Sequence, residues 1–260
     1  MRRATFVTGI IALLALPLGA LADGHEGDEQ PPLSDVWIIV PKAGMEAEFN
    51  AAIEKHVAFR KEQGESRDWN GFRVVIGDNL RPVMFRHCCF NWADQDSYIA
   101  EESLEAIGAD YQENVFPYVD HAHHYFEETD RENSYWPEGD ATGGPYYWVT
   151  TLKWNADTGP GPGEAREKIS QLALEHGWGE AGNNWLWVTR VGGAPMVMIV
   201  GASSDFAGMA DPDPDFYTFM TEKMGSSDEL DELFAQYRAG MKSVNSSLWR
   251  RDESISTPED

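Results

Sequence analysis

The chain is short of cysteine, short of positive charge and empty of nucleotide-binding and hydrolase signatures, and each scarcity narrows what it can be. Only Cys88 and Cys89 occur in 260 residues, side by side. Neighbours in a strand point to opposite faces, so the expectation is a pair of packed or reactive thiols; a vicinal disulfide, which needs a distorted backbone, is the second reading. Lysine and arginine number 20 against 44 acidic residues, a formal charge of −24. Such a surface repels nucleic acid and anionic membranes and serves solvation instead. No Gly-x-Gly-x-x-Gly loop, no phosphate-binding Gly-Lys-Ser/Thr loop, no Gly-x-Ser-x-Gly elbow and no His-Glu-x-x-His pair is present. Nucleotide-dependent and common hydrolytic chemistries lose their support with them.

What is present begins with Met1-Arg2-Arg3, an apolar run from Phe6 to Leu18 broken by Pro17, and Ala20-Leu21-Ala22. A basic start, a short apolar stretch and a small-x-small site are the parts of a secretory signal peptide over residues 1–22. The expected mature chain is periplasmic or secreted, with no stable membrane insertion after cleavage. Residues 23–34, DGHEGDEQPPLS, read as a disordered acidic lead-in. Aromatic residues at 12% and hydrophobic ones at 42% are enough for a globular core.

The stretch from Trp69 to Asp94 has an echo from Asn183 to Asp205. Each holds an aromatic-rich strand, a glycine turn (Gly77 or Gly192-Gly193), a proline (Pro82 or Pro195) and an apolar strand. Around the first copy the pattern gives a strand from Asp35 to Pro41, apolar without alternation and so covered on both faces. A helix between Gly44 and Gly64 follows, with Phe49, Ile53 and Val57 at helical spacing. A second helix starts near Asp96 or Ser97, and a strand runs from Val119 to Thr129. Residues 130–145 are polar and rich in Gly and Pro, a connector. The second copy repeats the order, with a strand from Tyr146 to Trp154, a helix from Glu164 to His176, and a last strand near Val244 to Arg250. Ser226 and Glu229 form a capping-box pattern before the last helix. Asp211, Asp213 and Asp215 alternate with prolines without the glycine of a calcium loop, so they read as a solvated loop.

The fold class expected is α+β: two tandem ferredoxin-like βαββαβ units, residues 35–135 and 146–256 around a linker at 136–145. Each sheet would take the order 4-1-3-2, and the two sheets would pack face to face as an α+β barrel. With this topology, Trp37, the Pro82 and Pro195 turns and the Ser134-to-Trp136 run, the chain resembles the dimeric α+β barrel superfamily, which includes NIPSNAP-like and antibiotic-biosynthesis-monooxygenase-like proteins. That resemblance implies small oxygenases, haem-handling enzymes, isomerases or proteins without a known reaction. The chlorite-dismutase-like members carry their proximal haem histidine in the second unit, where this chain has only His176, close to a helix end.

Counting from the turn prolines sets Arg86, His87, Cys88 and Cys89 against Ile199, Val200, Gly201 and Ala202, a polar strand against a bland one. The helix pattern sets His56 against Leu172. Five of the seven histidines fall in the first half, so the expected site lies there. Arg86 and His87, neighbours in a strand, point one into the barrel and one toward the helices; with His56 and Trp37 they are the candidate ligand-binding residues, for an anionic or carbonyl oxygen or a shuttled proton. The structural reading of the same residues is an internal salt bridge and core histidines. His121 and His123 share one strand face, as some metal sites require, but two imidazoles need further ligands. Three functional readings follow. One is an exported barrel that binds a small aromatic or apolar ligand. Another is a cofactor-independent or haem-handling oxygenase or isomerase with His87 as acid and base. The third is a non-catalytic module that forms homo-oligomers through its barrel and exposed sheet edges.

Overall fold

The computed structural model describes residues 31–137 and 144–257; the expected signal peptide and most of the acidic lead-in lie outside them. Eight strands, β1 (Leu33–Pro41), β2 (Asn70–Ile76), β3 (Val83–Phe90), β4 (Val119–Tyr135), β5 (Tyr146–Trp154), β6 (Trp185–Val191), β7 (Val197–Ser203) and β8 (Met241–Arg251), close into one barrel in the order β1-β3-β2-β8-β5-β7-β6-β4. Every neighbouring pair is antiparallel. The expected 4-1-3-2 order is present as β4-β1-β3-β2. Its edges are not free, because β2 pairs with β8 and β4 pairs with β6. The expected α+β barrel is present, and only the exposed edges of the assembly reading are corrected: closure gives each edge strand a partner. Six helices, α1 (Glu46–Glu62), α2 (Trp92–Ile99), α3 (Ser103–Asp110), α4 (Gly161–Glu175), α5 (Phe216–Met224) and α6 (Asp228–Arg238), lie among the described residues. None is long and apolar enough to cross a membrane.

Local sequence explains most boundaries. In α1, Phe49, Ile53 and Val57 form the buried stripe that the periodicity predicts, and His56 joins them. Helix α2 begins four residues earlier than expected because the Asn91 amide donates to Asp94 Oδ2 at 2.7 Å, closing the turn before Trp92. The last helix departs from the expected capping box: Ser226 Oγ accepts from the Asp228 amide, and α6 starts at Asp228. Of the aspartates between the prolines, Asp215 caps α5 by accepting from the Thr218 amide at 2.7 Å. Strand β1 begins at Leu33, within the expected lead-in, and Leu33 and Ser34 are buried.

Strand β4 overruns its expected end by six residues. Asp130 to Ser134 read as a connector because they are polar, yet their polarity is taken up by partners within the fold. Asn133 Nδ2 donates to Asp130, Trp185 Nε1 donates to the Asn133 carbonyl at 2.8 Å, and Tyr135 pairs with Trp185 across a register shift. This bulged end ties the two halves together.

Two helix-covered cores result. The first joins Ile39, Val83 and Phe85 of the sheet to Phe49, Ile53 and Val57 of α1, with Trp69, Val115, Val119 and Ile255. Ile255 comes from the short turn after β8 and is completely buried. The second joins Leu152, Trp185 and Trp187 to Ala173 and Trp178, with Phe216 and Tyr237 packed against them.

Candidate functional site

The first-half residues singled out by the sequence are held by the protein itself. Arg86 lies on the barrel side of β3, where Nε donates to Glu127 Oε2 at 3.1 Å and Nη2 to Ser34 Oγ at 2.6 Å. Beside this pair the Arg190 guanidinium lies 3.7 Å over the Tyr125 ring. Burial pushes the Tyr125 phenol up to about 12. His87 takes the opposite, helix-facing side, as the alternation requires. Its ring lies near Trp69 and Phe90, with Nδ1 2.9 Å from the Asp68 carbonyl oxygen. Burial lowers its pKa below the ordinary imidazole value against the raising effect of that carbonyl.

His56 is buried in α1 with Nδ1 2.7 Å from Asp110 Oδ2 and its ring edge-on to Tyr111. Burial lowers its pKa too, outweighing the Asp110 hydrogen bond. Trp37 stacks on His124, centroids 4.1 Å apart, while His124 Nε2 stands 2.8 Å from Asp35 Oδ1. Asp35 also accepts from Arg67 Nη1 at 2.6 Å, so this carboxylate, missed in the sequence, holds both an arginine and a histidine of the first half.

His121 and His123 do share a face, with ring centroids 5.4 Å apart, and His121 bonds Asp120. They sit on the exposed first part of β4, which pairs with β1 alone. Among the described residues no group of three metal-ligating side chains forms. Cys88 and Cys89 are joined as a vicinal disulfide. The expectation of two thiols is corrected, since neither cysteine among the described residues is free.

A second candidate region lies in the other half. A cavity of about 700 Å³ lies in the second half, between the outer face of β5, β6 and β7 and the cover formed by α4, α5 and α6. None of Trp37, His56, Arg86 or His87 borders it. Alternate residues of β5 (Tyr146, Trp148, Thr150 and Leu152) face it, and α4 presents Arg166, Ile169, Ser170 and Ala173 at i, i+3, i+4 and i+7. Trp178, Trp185 and Trp187 supply flat walls. The first half fills the same layer with Phe49, Ile53, Val57 and the inserted Ile255. Here α4 offers only Ala165, Ser170 and Ala173 as its small buried residues, and β7 offers Gly201.

The polar groups of the walls are mostly turned to structural use. Asn184 pairs with both backbone groups of Ala202, Asn183 Nδ2 donates to the Trp178 carbonyl, and Trp187 Nε1 donates to Ser170 Oγ at 2.9 Å. They leave an apolar, aromatic interior. Among the polar groups of the lining, which include Asp211 and Tyr146, two stand together under the helix cover. Arg166, the one cation lining the cavity among the described residues, lies over the Trp187 ring and donates to Asp130 Oδ2 at 2.6 Å. The Tyr237 phenol is pushed by burial up to about 12, with Arg166 pulling the other way. It therefore stays protonated at physiological pH.

The comparison of the two halves made from the turn prolines was one residue out of register. Bulges at Pro41 and Trp154 close the first strands of the two halves alike, which makes Trp37 equivalent to Thr150. Since Trp37 pairs with Phe85 and Thr150 with Ile199, Arg86 corresponds to Val200 and His87 to Gly201. A large helix-facing side chain in one half thus matches none in the other. The signal that could have found the cavity was this run of small residues, not the histidines.

No protein-family model matches the chain, and no curated protein is similar to it in sequence. Solved structures are similar in fold. A protein called anthrone oxidase-like covers 89% of this chain and 95% of its own, at 10% identity and a TM-score of 0.50. A Fusobacterium nucleatum protein named as a monooxygenase covers 86% and 93%, at 9% identity and a TM-score of 0.50. Chlorite dismutase of Candidatus Nitrospira defluvii, in a mutant form, covers 86% and 92%, at 8% identity and a TM-score of 0.49. At such identities the likeness is one of architecture, and it agrees with the resemblance drawn from the sequence. The chain has a ferredoxin-like α+β-barrel fold.

Proposed function

We propose that this is an exported barrel protein, built from two tandem ferredoxin-like units, that binds a planar and largely apolar small molecule in the cavity of its second half. The tandem reading is supported by the strand orders β4-β1-β3-β2 and β8-β5-β7-β6, which are the same order twice. Export rests on the basic-apolar-small pattern of residues 1–22. The binding reading rests on one observation: a cavity of about 700 Å³ with tryptophan walls stands in the layer that Phe49, Ile53, Val57 and Ile255 occupy in the other half. That volume and lining are those of small-molecule sites, ~300–1,000 Å³ and mostly apolar.

A histidine-ligated haem does not fit this cavity. No histidine lines it among the described residues. His87, the acid-base candidate for an oxygenase or isomerase, lies in the other half among Trp69 and Phe90. The names of the fold neighbours nonetheless make oxidation of an aromatic compound the first activity to screen once a ligand is known.

The test is a tryptophan-fluorescence titration of the full chain with a neutral planar probe such as 2-ethylnaphthalene. Gly201→Leu is the filling variant, because a Cβ at Gly201 meets nothing closer than the Asn184 carbonyl at 3.6 Å. Saturable binding by wild type, lost in Gly201→Leu and kept in Arg86→Ile/His87→Val, is the expected result. Binding that survives Gly201→Leu, or fails only in the first-half variant, would return the site to the first half.

A further inference from the structure

An apolar cavity alone does not choose among flat molecules, but a pair of polar groups beside one of its tryptophans does. Tyr237 and Arg166 both stand against Trp187: the Tyr237 ring is edge-on to the indole at 6.5 Å, and the Arg166 guanidinium lies 5.2 Å from its centroid. They come from different helices, α6 and α4. Each is fixed by contacts that leave part of it for the cavity. The Tyr237 carbonyl accepts from Trp154 Nε1 at 3.0 Å and its ring packs on Trp154, while its hydroxyl has no hydrogen-bond partner among the described residues. The Arg166 side chain, only one-tenth exposed, is anchored at one end by Asp130 on β4, and Asp130 is itself held by Asn133. A phenol donor at the wall of an aromatic cavity, with a guanidinium beside it, can be matched by a ligand that supplies an acceptor.

We infer that the ligand of the second-half cavity is a planar aromatic molecule carrying an oxygen acceptor, a carbonyl or an aromatic carboxylate or phenolate, which accepts a hydrogen bond from the Tyr237 hydroxyl next to Arg166. The ring system would lie among Trp178, Trp185 and Trp187, and its oxygen would meet Tyr237. The inference rests on the cavity being the binding site. It adds the chemical class that the site selects, and its two polar residues carry the selection: a polar site rejects an analogue that leaves its donors unpaired.

The test uses matched probes on the full chain: 2-acetylnaphthalene, its near-isostere 2-ethylnaphthalene, and 2-naphthoate. Wild type should bind the acetyl compound about tenfold more tightly than the ethyl one, the worth of one buried hydrogen bond. Tyr237→Phe should erase that difference while leaving 2-ethylnaphthalene unchanged, which also shows that the variant is folded. A naphthoate affinity above that of the ketone, lost in Arg166→Gln, would identify the acceptor as an oxyanion; a naphthoate no tighter than the ketone would identify a neutral carbonyl. Equal binding of the acetyl and ethyl probes by wild type, or an acetyl preference untouched by Tyr237→Phe, overturns the inference and leaves the cavity as a binding site. Failure of all three probes to bind overturns both.

Discussion

Asp35 is the buried carboxylate on which the first half's outer layer depends, and its removal tests the physical reading of that half. It is 2% exposed and Arg67 is 4% exposed. Arg67 donates to Asp35 Oδ2 at 2.6 Å and to Gln95 Oε1 at 2.6 Å, and its guanidinium lies over the Phe90 and Tyr98 rings at 4.5 and 3.7 Å. Asp35→Ala leaves that guanidinium buried with one neutral oxygen and two ring faces. At an effective dielectric of about 20 a contact pair is worth about 4 kcal/mol, and breaking a buried pair from one side costs ~3–5 kcal/mol. The expected loss for Asp35→Ala is therefore about 4 kcal/mol, read as a fall in the urea midpoint at unchanged slope. Asp35→Asn combined with Arg67→Met removes both charges and leaves none stranded. The double variant should be more stable than Asp35→Ala and than Arg67→Met alone, a coupling of at least ~1.5 kcal/mol. A loss under ~1 kcal/mol for Asp35→Ala, or simple additivity in the pair, would mean that the pair is not the closed, desolvated contact described.

Two further perturbations probe the same half. His56 binds its proton more weakly folded than unfolded, so as pH falls through its ordinary value of 6.5 the unfolded chain gains protons first and stability falls. His56→Leu, which leaves Asp110 its contact with Asn114 Nδ2, should therefore shrink the difference in urea midpoint between about pH 7.5 and 5.5; an undiminished difference would place the titration elsewhere. Ile255 is wholly buried against Gly71, where an added Cβ would sit 2.5 Å from Ile255 Cγ1 and 2.7 Å from its carbonyl oxygen. Ile255→Ala should cost ~2–5 kcal/mol by the cavity it leaves. Gly71→Ala should expel the same turn, and limited proteolysis should then cut after Arg251.

The fold was legible wherever burial follows a period. The α1 stripe of Phe49, Ile53 and Val57 comes directly from helical spacing, and the order of strands in the first sheet from the succession of strands and helices along the chain. Illegible boundaries share a cause: polar residues whose partners are distant in sequence. Asp130 and Asn133 look like loop residues until Arg166 and Trp185 are brought to them. Closure through β2–β8 and β4–β6 is a long-range pairing that no local pattern encodes. The disulfide of Cys88 and Cys89 joins neighbours that strand alternation points to opposite faces, so the expectation from a regular strand failed there.

The candidate site was illegible for a deeper reason: ionisable residues are visible in a sequence, whereas an unfilled volume is not. Arg86, His56 and His87 drew the eye because they are costly to bury, and that cost is met by Glu127, Asp110 and the Asp68 carbonyl. Each is thereby committed to the core and has little left for a ligand. In the second half the corresponding layer has Gly201 where the first has His87, and small α4 residues where the first has Phe49 and Val57. The large aromatic residues there do not collapse into the gap, because Trp185, Trp187 and Trp154 are each pinned by an indole N–H bond to the Asn133 carbonyl, Ser170 Oγ and the Tyr237 carbonyl. Small residues create the volume and pinned indoles keep it open, so Tyr237 and Arg166 face a shaped space rather than a filled core. In a repeated architecture, the half that looks chemically plain is then the half with room for a ligand.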